Sequence, residues 1–454
     1  MGNKIIRDAV HGDIVFTDEE LKLIDTPQVQ RMRGIKQLGA SSLVYPSAVH
    51  TRFEHSLGTC WVAKRIIAAI RNNSIAAGLP PPIDTHAERV IAAAALLHDV
   101  THIPYGHTFE DERRIFERHD ENRARLAYFL DSKPIKSALK LQGIYSDVAR
   151  VLTARREELA APFIYQIVAG TVCADLLDYL RRDAYFCGLS HFYDERIFRY
   201  FTISNGHFVI ELQKDGLFRH DALSELINLL RIRYTLTERV YYHHAKAVAG
   251  AMISKALELA LGQGRIKLED LFELRDDSFL YFLRTRAHNR AVTGLIDAIE
   301  QRQLYKRVYF LTLQRDEARG GINSEQQRTL EQLYHYNEEG ARTRVERELA
   351  ERLRLPEGAV IIYCPSAAMA LKEAAVPVKV DERGPRSLRD FNNPEINNLT
   401  DKHRHLWRFF VCVNRAYKEK FERIGELCED FFGHRNMLKL QAGGQLSFDF
   451  SPIT

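Results

Sequence analysis

Seven of the chain's 18 histidines fall between residues 50 and 119: His50, His55, His86, His98, His102, His107 and His119. Imidazole moves protons near neutral pH and is the commonest metal ligand, so chemistry is expected in this stretch. Within it, His98 and Asp99 close the run VIAAAALL, which is apolar on every side. A carboxylate at the end of such a helix is costly unless its charge is compensated, and a divalent cation does that. His55 sits in RFEHSLG, at the start of another helix lined with small residues, where a third ligand fits. Asp175, in ADLLDYLRRD, is placed as a fourth. Two imidazoles and two carboxylates suit Mn, Fe, Co or Zn, with Mg as an additional ion, and leave positions for water and a phosphate oxygen. A metal held this way lowers the pKa of water toward neutrality. A lone His-Asp pair reads better as a capping aspartate beside ordinary histidines. The company of His55, His102 and His107 tips the reading to a metal. His98 and His102, four apart, share one helix face if the helix continues, and Pro104 ends it.

The elements that must position these residues read as helices over most of the first 300 residues. Apolar positions at helical spacing run over 17–38, with a break at Pro27, and helices are predicted over 53–70, 85–99, 120–131, 144–157 and 162–186. A short strand is expected at 207–212, then one long helix over 221–261. Near residue 300 the pattern changes. Strands are predicted at 307–313, 359–364 and 376–380, with helices at 341–354 and 402–432. The charge-dense stretch ARTRVERELAERLR at 341–354 reads as a solvated face. The architecture expected is mainly α: a helical core over 1–300, a smaller α+β C-terminal domain over 301–440, and a tail over 441–454.

Composition narrows the class further. The chain has 454 residues, 45% apolar and 27% charged, with a net charge of +4. This is an ordinary globular balance, neither disordered nor strongly basic. No window approaches eighteen uncharged apolar residues, which argues against a membrane span, and MGNKIIRDAV lacks the apolar run of a signal peptide. Six cysteines without a CxxC pair fit reduced thiols, so a cytoplasmic location is expected.

The strings IDTPQVQRMRGIKQLGASSLVYPSAVHTRFEHSLG and LLHDVTHIPYGHTF closely resemble the HD-domain deoxynucleoside triphosphate triphosphohydrolases, in both the sterile-alpha-motif branch and its bacterial relatives. The similarity runs from about residue 4 to 250 and is densest over 20–110. It implies an HD-domain helical fold and hydrolysis of a deoxynucleoside triphosphate (dNTP) to deoxynucleoside and inorganic triphosphate. The family's metal, often manganese, is held at the positions matching His55, His98, Asp99 and Asp175. The resemblance further implies that Gln37 and Leu38 lie against the deoxyribose, that Arg52 contacts phosphate, and that His102 and His107 approach the phosphates. His119 would be the catalytic histidine, with Glu110 as its carboxylate partner, although Asp111 is one residue away. Tyr179 and Asp183 match residues around phosphates and sugar, Arg233 a phosphate-binding arginine, and Tyr241 an aromatic bordering sugar and base. Taken alone, Tyr179 reads as core, and Arg233 with Asp183 as a structural ion pair.

Departures from the family pattern matter as well. A phosphate-gripping lysine beside the fourth metal ligand is replaced by Leu176, so one cation is missing. Lys4, Ile5, Asp25, Gln30 and Arg33 resemble a guanine-reading effector site, and Asp25 with Arg33 reads equally well as a surface ion pair. A second effector site keeps Arg219 but has Arg7, Asp221 and Glu225 in place of an asparagine, a lysine and an asparagine. Carboxylates where a triphosphate should lie are electrostatically wrong, so at most one nucleotide activator site is expected. The family also implies a homo-oligomer, a dimer or tetramer. Two other readings stay open: a nuclease or phosphodiesterase acting on single-stranded nucleic acid through Arg-rich segments at 113–125, 342–354 and 402–408, and a nucleotide-sensing HD module. An iron oxygenase would need a second metal and further ligands that cannot be assigned. The tail GGQLSFDF resembles peptides that dock on the bacterial sliding clamp, and reads also as a terminal strand.

Overall fold

Turn chemistry shapes the first element. Asp8 Oδ1 accepts the backbone N–H groups of Val10 and His11 at 2.8 Å each, and Gly12 takes a φ of +78° that only glycine adopts readily. The result is a hairpin of β1 (Lys4–Asp8) and β2 (Gly12–Phe16), antiparallel, with Lys4 opposite Phe16 and Asp8 opposite Gly12. The computed structural model describes residues 3–118, 121–153, 159, 161–313, 321–335, 340–366, 371–381 and 383–438.

Helices follow. α1 (Asp18–Ile24) opens on a capping box of Thr17 and Glu20, and α2 (Pro27–Arg31) begins at the proline that breaks the pattern. α3 (Arg52–Ala76) opens on a second capping box, Thr51 with Glu54, which satisfies orphan N–H groups and fixes where the first turn starts. α4 (Thr85–Leu97) is capped by Asp84, and every residue from Val90 to Leu97 is buried. Burial of this kind contributes roughly 1.5–3 kcal/mol for each large apolar side chain. α5 (Arg123–Leu130), α6 (Lys133–Leu141) and α7 (Tyr145–Leu152) come next. The single helix expected over 162–186 is two, α8 (Pro162–Ala169) and α9 (Ala174–Phe186). Gly170 ends the first, its backbone folded against the Gln166 carbonyl so closely that a Cβ would collide with it. The combined stretch has the length and apolar composition of a membrane span, but each of its two helices is far shorter than the ~20 residues a crossing needs.

Strands β3 (Phe201–Ser204) and β4 (His207–Glu211) pair antiparallel, and β5 (Gln213–Lys214) and β6 (Leu217–Phe218) form a small ribbon. The long helix expected over 221–261 is interrupted. α10 (His220–Leu236) ends in a π turn at Thr237–Tyr241, and α11 (His244–Leu261) starts afresh. α12 (Asp276–Arg286) and α13 (Arg290–Glu300) complete this part.

The remainder holds β7 (Lys306–Thr312), α14 (Ser324–Tyr334), α15 (Ala341–Arg352), β8 (Val360–Tyr363), β9 (Pro377–Lys379), β10 (Arg386–Ser387), α16 (Pro394–Arg404), β11 (Arg408–Val413) and α17 (Phe421–Phe432). The helix expected over 402–432 is therefore wrong: RFFVCV is the central strand of an antiparallel sheet ordered β7-β11-β8. Its alternation explains the fully apolar run. Phe409, Val411 and Val413 join a core made only of residues 308–432, whereas Phe410 and Cys412 join the main core, which extends back to Ile14. A second sheet, β10-β9-β4-β3, pairs β9 in parallel with β4. The expectation of a solvated face at 341–354 also fails, because Arg342, Glu346, Leu349 and Ala350 are buried. Helices dominate and the strands form only small sheets, so the fold is mainly α with an α+β C-terminal part.

Candidate metal centre and the pocket beside it

Three helix ends converge. The capping box at Thr51 sets the first turn of α3, which carries Arg52 and His55; α4 ends at His98 with Asp99 following; and Asp175 lies in the first turn of α9. His55 Nε2 is 3.0 Å from Asp175 Oδ1 and 3.2 Å from His98 Nε2, and His98 Nε2 is 3.6 Å from Asp175 Oδ1. Two ligands each about 2.1 Å from one ion stand roughly 3–4 Å apart, so these three atoms are spaced to share a cation. Asp99 borders the same space, with Oδ1 3.5 Å from His98 Nε2 and Oδ2 3.8 Å from His55 Nε2. It also accepts from Arg52 at 2.6 Å and lies 3.2 Å from His102 Nε2. His102 thus meets the same aspartate as His98, although the helix stops before it.

The far sides of both imidazoles are fixed. Asp178 Oδ2 lies 2.7 Å from His55 Nδ1, and the Ala95 carbonyl lies 2.8 Å from His98 Nδ1. Both partners only accept, so each Nδ1 carries a proton and each Nε2 faces the shared space, where a bound cation would take the place of any proton it holds. Burial works against charge on His55, yet its bonds to Asp175 and Asp178 outweigh that and push the imidazole up to about 10. Burial likewise opposes the charge on Asp99, but Arg52, His98 and His102 hold its carboxyl well below the usual range. Converging carboxylates that draw protons onto imidazole this strongly are a field that fits a divalent cation. The donor set is right for a borderline transition metal.

A polar pocket adjoins this centre. The Tyr179 ring lies 6.5 Å from that of His55, and the Arg233 guanidinium lies over the Tyr179 and Tyr241 rings at 5.2 and 5.1 Å. Tyr241 donates its hydroxyl to Asp183 at 2.7 Å, and His50 Nε2 meets the other Asp183 oxygen at 2.8 Å. Burial pushes the Tyr241 phenol well above its ordinary value, which keeps it a donor. Asp183 thus meets His50 through one oxygen and Tyr241 through the other. Gln37 donates its backbone N–H to the His50 carbonyl at 3.0 Å, while its buried side-chain oxygen meets no partner among the described residues. Such an orphaned acceptor suits a ligand hydroxyl. Leu38 follows it, partly buried against the core.

Beyond this, His107 is 43% exposed and its Nδ1 lies 3.1 Å from Glu110, whose other oxygen accepts from the buried Arg125 at 2.9 Å. Asp111 accepts from Arg118 at 3.3 Å through Oδ1, and its Oδ2 lies 3.8 Å from His107 Nδ1. His119, with the proposed Glu110 pairing, and the tail lie outside the described residues. Lys4 and Ile5 are exposed on β1, and Asp25 is exposed after α1. Arg33 donates to Gln30 at 2.8 Å and stacks on Phe53 at 3.6 Å, and Gln30 donates to the Ile24 carbonyl. The surface ion pair of Asp25 with Arg33 is thus replaced by Arg33 with Gln30 and Phe53. Arg7 pairs with Asp13 at 2.9 Å and Arg219 lies 3.6 Å from Asp221. Burial pushes the Glu225 carboxyl up, and Leu176 is buried in α9.

Sequence reasoning missed Asp178, Arg182, Asp8 and His11. Arg182 grips Asp178 through Nε and Nη2 at 2.8 and 2.9 Å, the i,i+4 spacing being the one local signal. Gly58 lets both sit against α3, since a Cβ there would overlap Asp178 Oδ1 and Arg182 Nη2. Gly58→Ala is expected to push Asp178 off His55, weakening Mn²⁺ binding about 10- to 100-fold with an overpacking cost of about 1–3 kcal/mol. A Mn²⁺ titration alongside urea unfolding checks both.

Residues 52–182 match the HD domain and residues 222–436 match the HD associated region. The chain belongs to the HD-domain family. It is 33% identical to an uncharacterised protein of Methanocaldococcus jannaschii over 310 residues, 67% of this chain and 59% of that one. It is 29% identical to the deoxynucleoside triphosphate triphosphohydrolase SAMHD1 homolog of Dictyostelium discoideum, over 71% of this chain and 63% of that protein. In both cases the match spans less than two thirds of the relative's own length. The fold is also similar to the crystal structure of a phosphohydrolase from Bacteroides thetaiotaomicron, with a TM-score of 0.66 at 21% identity, covering 91% of this chain and all of that one.

Proposed function

We propose that the chain is a metal-dependent phosphohydrolase that cleaves a deoxynucleoside triphosphate into deoxynucleoside and inorganic triphosphate. The observation that carries this reading is the juxtaposition of the His55, His98 and Asp175 cluster with the pocket of Gln37, Asp183, Arg233 and Tyr241. His55, His98, Asp99 and Asp175 would hold the cation, which would supply charge stabilisation at a phosphate oxygen and lower the pKa of water. Arg52, anchored on Asp99, balances negative charge that develops on the α-phosphate. His102 and His107 position the phosphates, with Glu110 holding His107. Water adds to the α-phosphorus as the bond from that phosphorus to the 5′-oxygen breaks; the leaving oxygen takes a proton from His119, the attacking water releases one to solvent, and His119 regains its proton from solvent. Gln37 receives the 3′-hydroxyl, Leu38 and Tyr241 border the sugar, and Arg233 faces phosphate. In this reading residues 1–300 carry the site and 301–440 form the α+β unit joined to it. A retained effector site at Lys4, Ile5, Asp25, Gln30 and Arg33, a homo-oligomeric assembly, and a cytoplasmic location supported by six free buried cysteines belong to the same proposal.

For the nucleic-acid reading, Arg113, Arg125 and Arg342 of the Arg-rich segments are buried, whereas Arg114, Arg123, Arg344, Arg347, Arg352, Arg354 and Arg404 are exposed. The test is incubation with Mn²⁺ and each dNTP, singly and mixed, with products separated by ion exchange. Triphosphate from the mixture alone supports an effector site, and triphosphate from every single dNTP removes the need for one. No triphosphate under any condition, with metal bound, would overturn the substrate assignment. His119→Ala is expected to abolish turnover while leaving metal content unchanged by elemental analysis; a parallel loss of metal would make His119 a ligand instead.

A further inference from the structure

The metal cluster is braced from an unexpected direction. Asp178, which holds His55 Nδ1, offers four acceptor positions, and four donors meet them. Oδ2 accepts from His55 Nδ1 at 2.7 Å and Arg182 Nε at 2.8 Å, and Oδ1 accepts from Arg182 Nη2 at 2.9 Å and His11 Nε2 at 2.6 Å. His11 belongs to the turn of the N-terminal hairpin, 167 residues away in sequence. Its side chain is 1% exposed and that of Asp178 is fully buried. The same turn supplies Asp8, whose Oδ2 accepts from Arg182 Nη1 at 2.9 Å while its Oδ1 ties the backbone of Val10 and His11. Two side chains from one turn thus close on the Asp178–Arg182 pair from the side opposite the metal cluster.

We propose that His11 is a positioning residue for the metal centre, setting metal affinity through Asp178 and His55. The inference rests on the metal assignment made above. A carboxylate aligned by donors on all four positions fixes the plane in which it receives His55 Nδ1–H, and so the direction of the His55 Nε2 lone pair. Without His11, Oδ1 has an unfilled position in a buried place, and Asp178 is free to rotate toward Arg182. His11 Nδ1 meets no partner among the described residues, so its whole polar role is one donated bond. A glutamine amide can reach as far and donate the same bond, whereas an asparagine amide is one methylene shorter.

The test is Mn²⁺ binding to the full-length metal-free chain by calorimetry, with thermal melts of each metal-free variant. His11→Ala and His11→Asn are expected to bind Mn²⁺ about 10- to 100-fold more weakly than the wild type, the range for loss of a bond behind a metal ligand. His11→Gln is expected to restore affinity to within about threefold. A role in folding alone would not separate glutamine from asparagine in metal affinity. Wild-type affinity in folded His11→Ala, or in His11→Asn should the alanine variant not fold, would overturn the inference while leaving the metal assignment standing. A wild-type chain that bound no Mn²⁺ would overturn both.

Discussion

Under the proposed function, Asp175→Ala is expected to abolish Mn²⁺ binding and to lower triphosphate release by about a thousandfold or more. The cation contributes several kcal/mol of transition-state stabilisation, and each 1.4 kcal/mol is about tenfold in rate. Asp175 is the ligand to change first because its side chain is the most open of the cluster at 32% exposure, so its removal disturbs packing least. Asp99 provides the contrast. It is the ion-pair partner of the buried Arg52, and Asp99→Ala strands that guanidinium, adding a destabilisation of about 3–5 kcal/mol. Metal content, turnover and urea unfolding on the two variants separate a ligand from a ligand that also balances a buried charge. Full metal occupancy in Asp175→Ala would remove that residue from the centre.

Arg113→Met is expected to destabilise the fold by about 3–5 kcal/mol, the cost of leaving a buried ion pair one-sided. Arg113 donates to Glu258 at 3.0 Å and to Glu346, and Lys255 reaches the same two carboxylates at 2.6 and 2.7 Å. Arg342 meets Glu112 at 3.1 Å, and the Ile362 N–H donates to Glu346 at 2.8 Å. Burial opposes charge on Glu346, but Arg113 and Lys255 hold its carboxyl below its ordinary value. Arg113→Met combined with Glu346→Leu removes one charge of each sign, and is expected to recover part of the loss. Denaturant unfolding of the single and double variants gives the coupling. A cost below about 1 kcal/mol for Arg113→Met would place the network among solvated ion pairs.

The metal cluster was legible because burial made it conspicuous. An acid after VIAAAALL needs a reason, and a histidine in the first turn of a small-residue helix is placed to provide one. Asp178 and His11 had no such signal, since their meaning lies in a contact between segments far apart in the chain. The misreading of 341–354 is instructive. Arg342, Glu346, Leu349 and Ala350 recur at i, i+4, i+7 and i+8, one continuous helical face, but two of the four are charged and hide the stripe. The charged flanks of RFFVCV favour a helix, although the apolar run Phe409–Val413, rich in aromatic and β-branched residues, suits a strand buried on both faces. The break at 237–243 was also invisible, because a π turn keeps helical periodicity on either side.

The distribution of these contacts along the chain has a consequence for its birth on the ribosome. The proposed metal ligands and their braces, from His11 to Arg182, precede Glu346 in the chain and so emerge before it. Arg113 and Lys255 receive Glu258 early but must wait for Glu346. At about 5–20 residues per second that wait lasts several seconds. A nascent chain therefore presents a nearly finished candidate metal site on a body whose buried charges are not yet balanced, and under the proposed function metal capture can precede completion of the fold that encloses it.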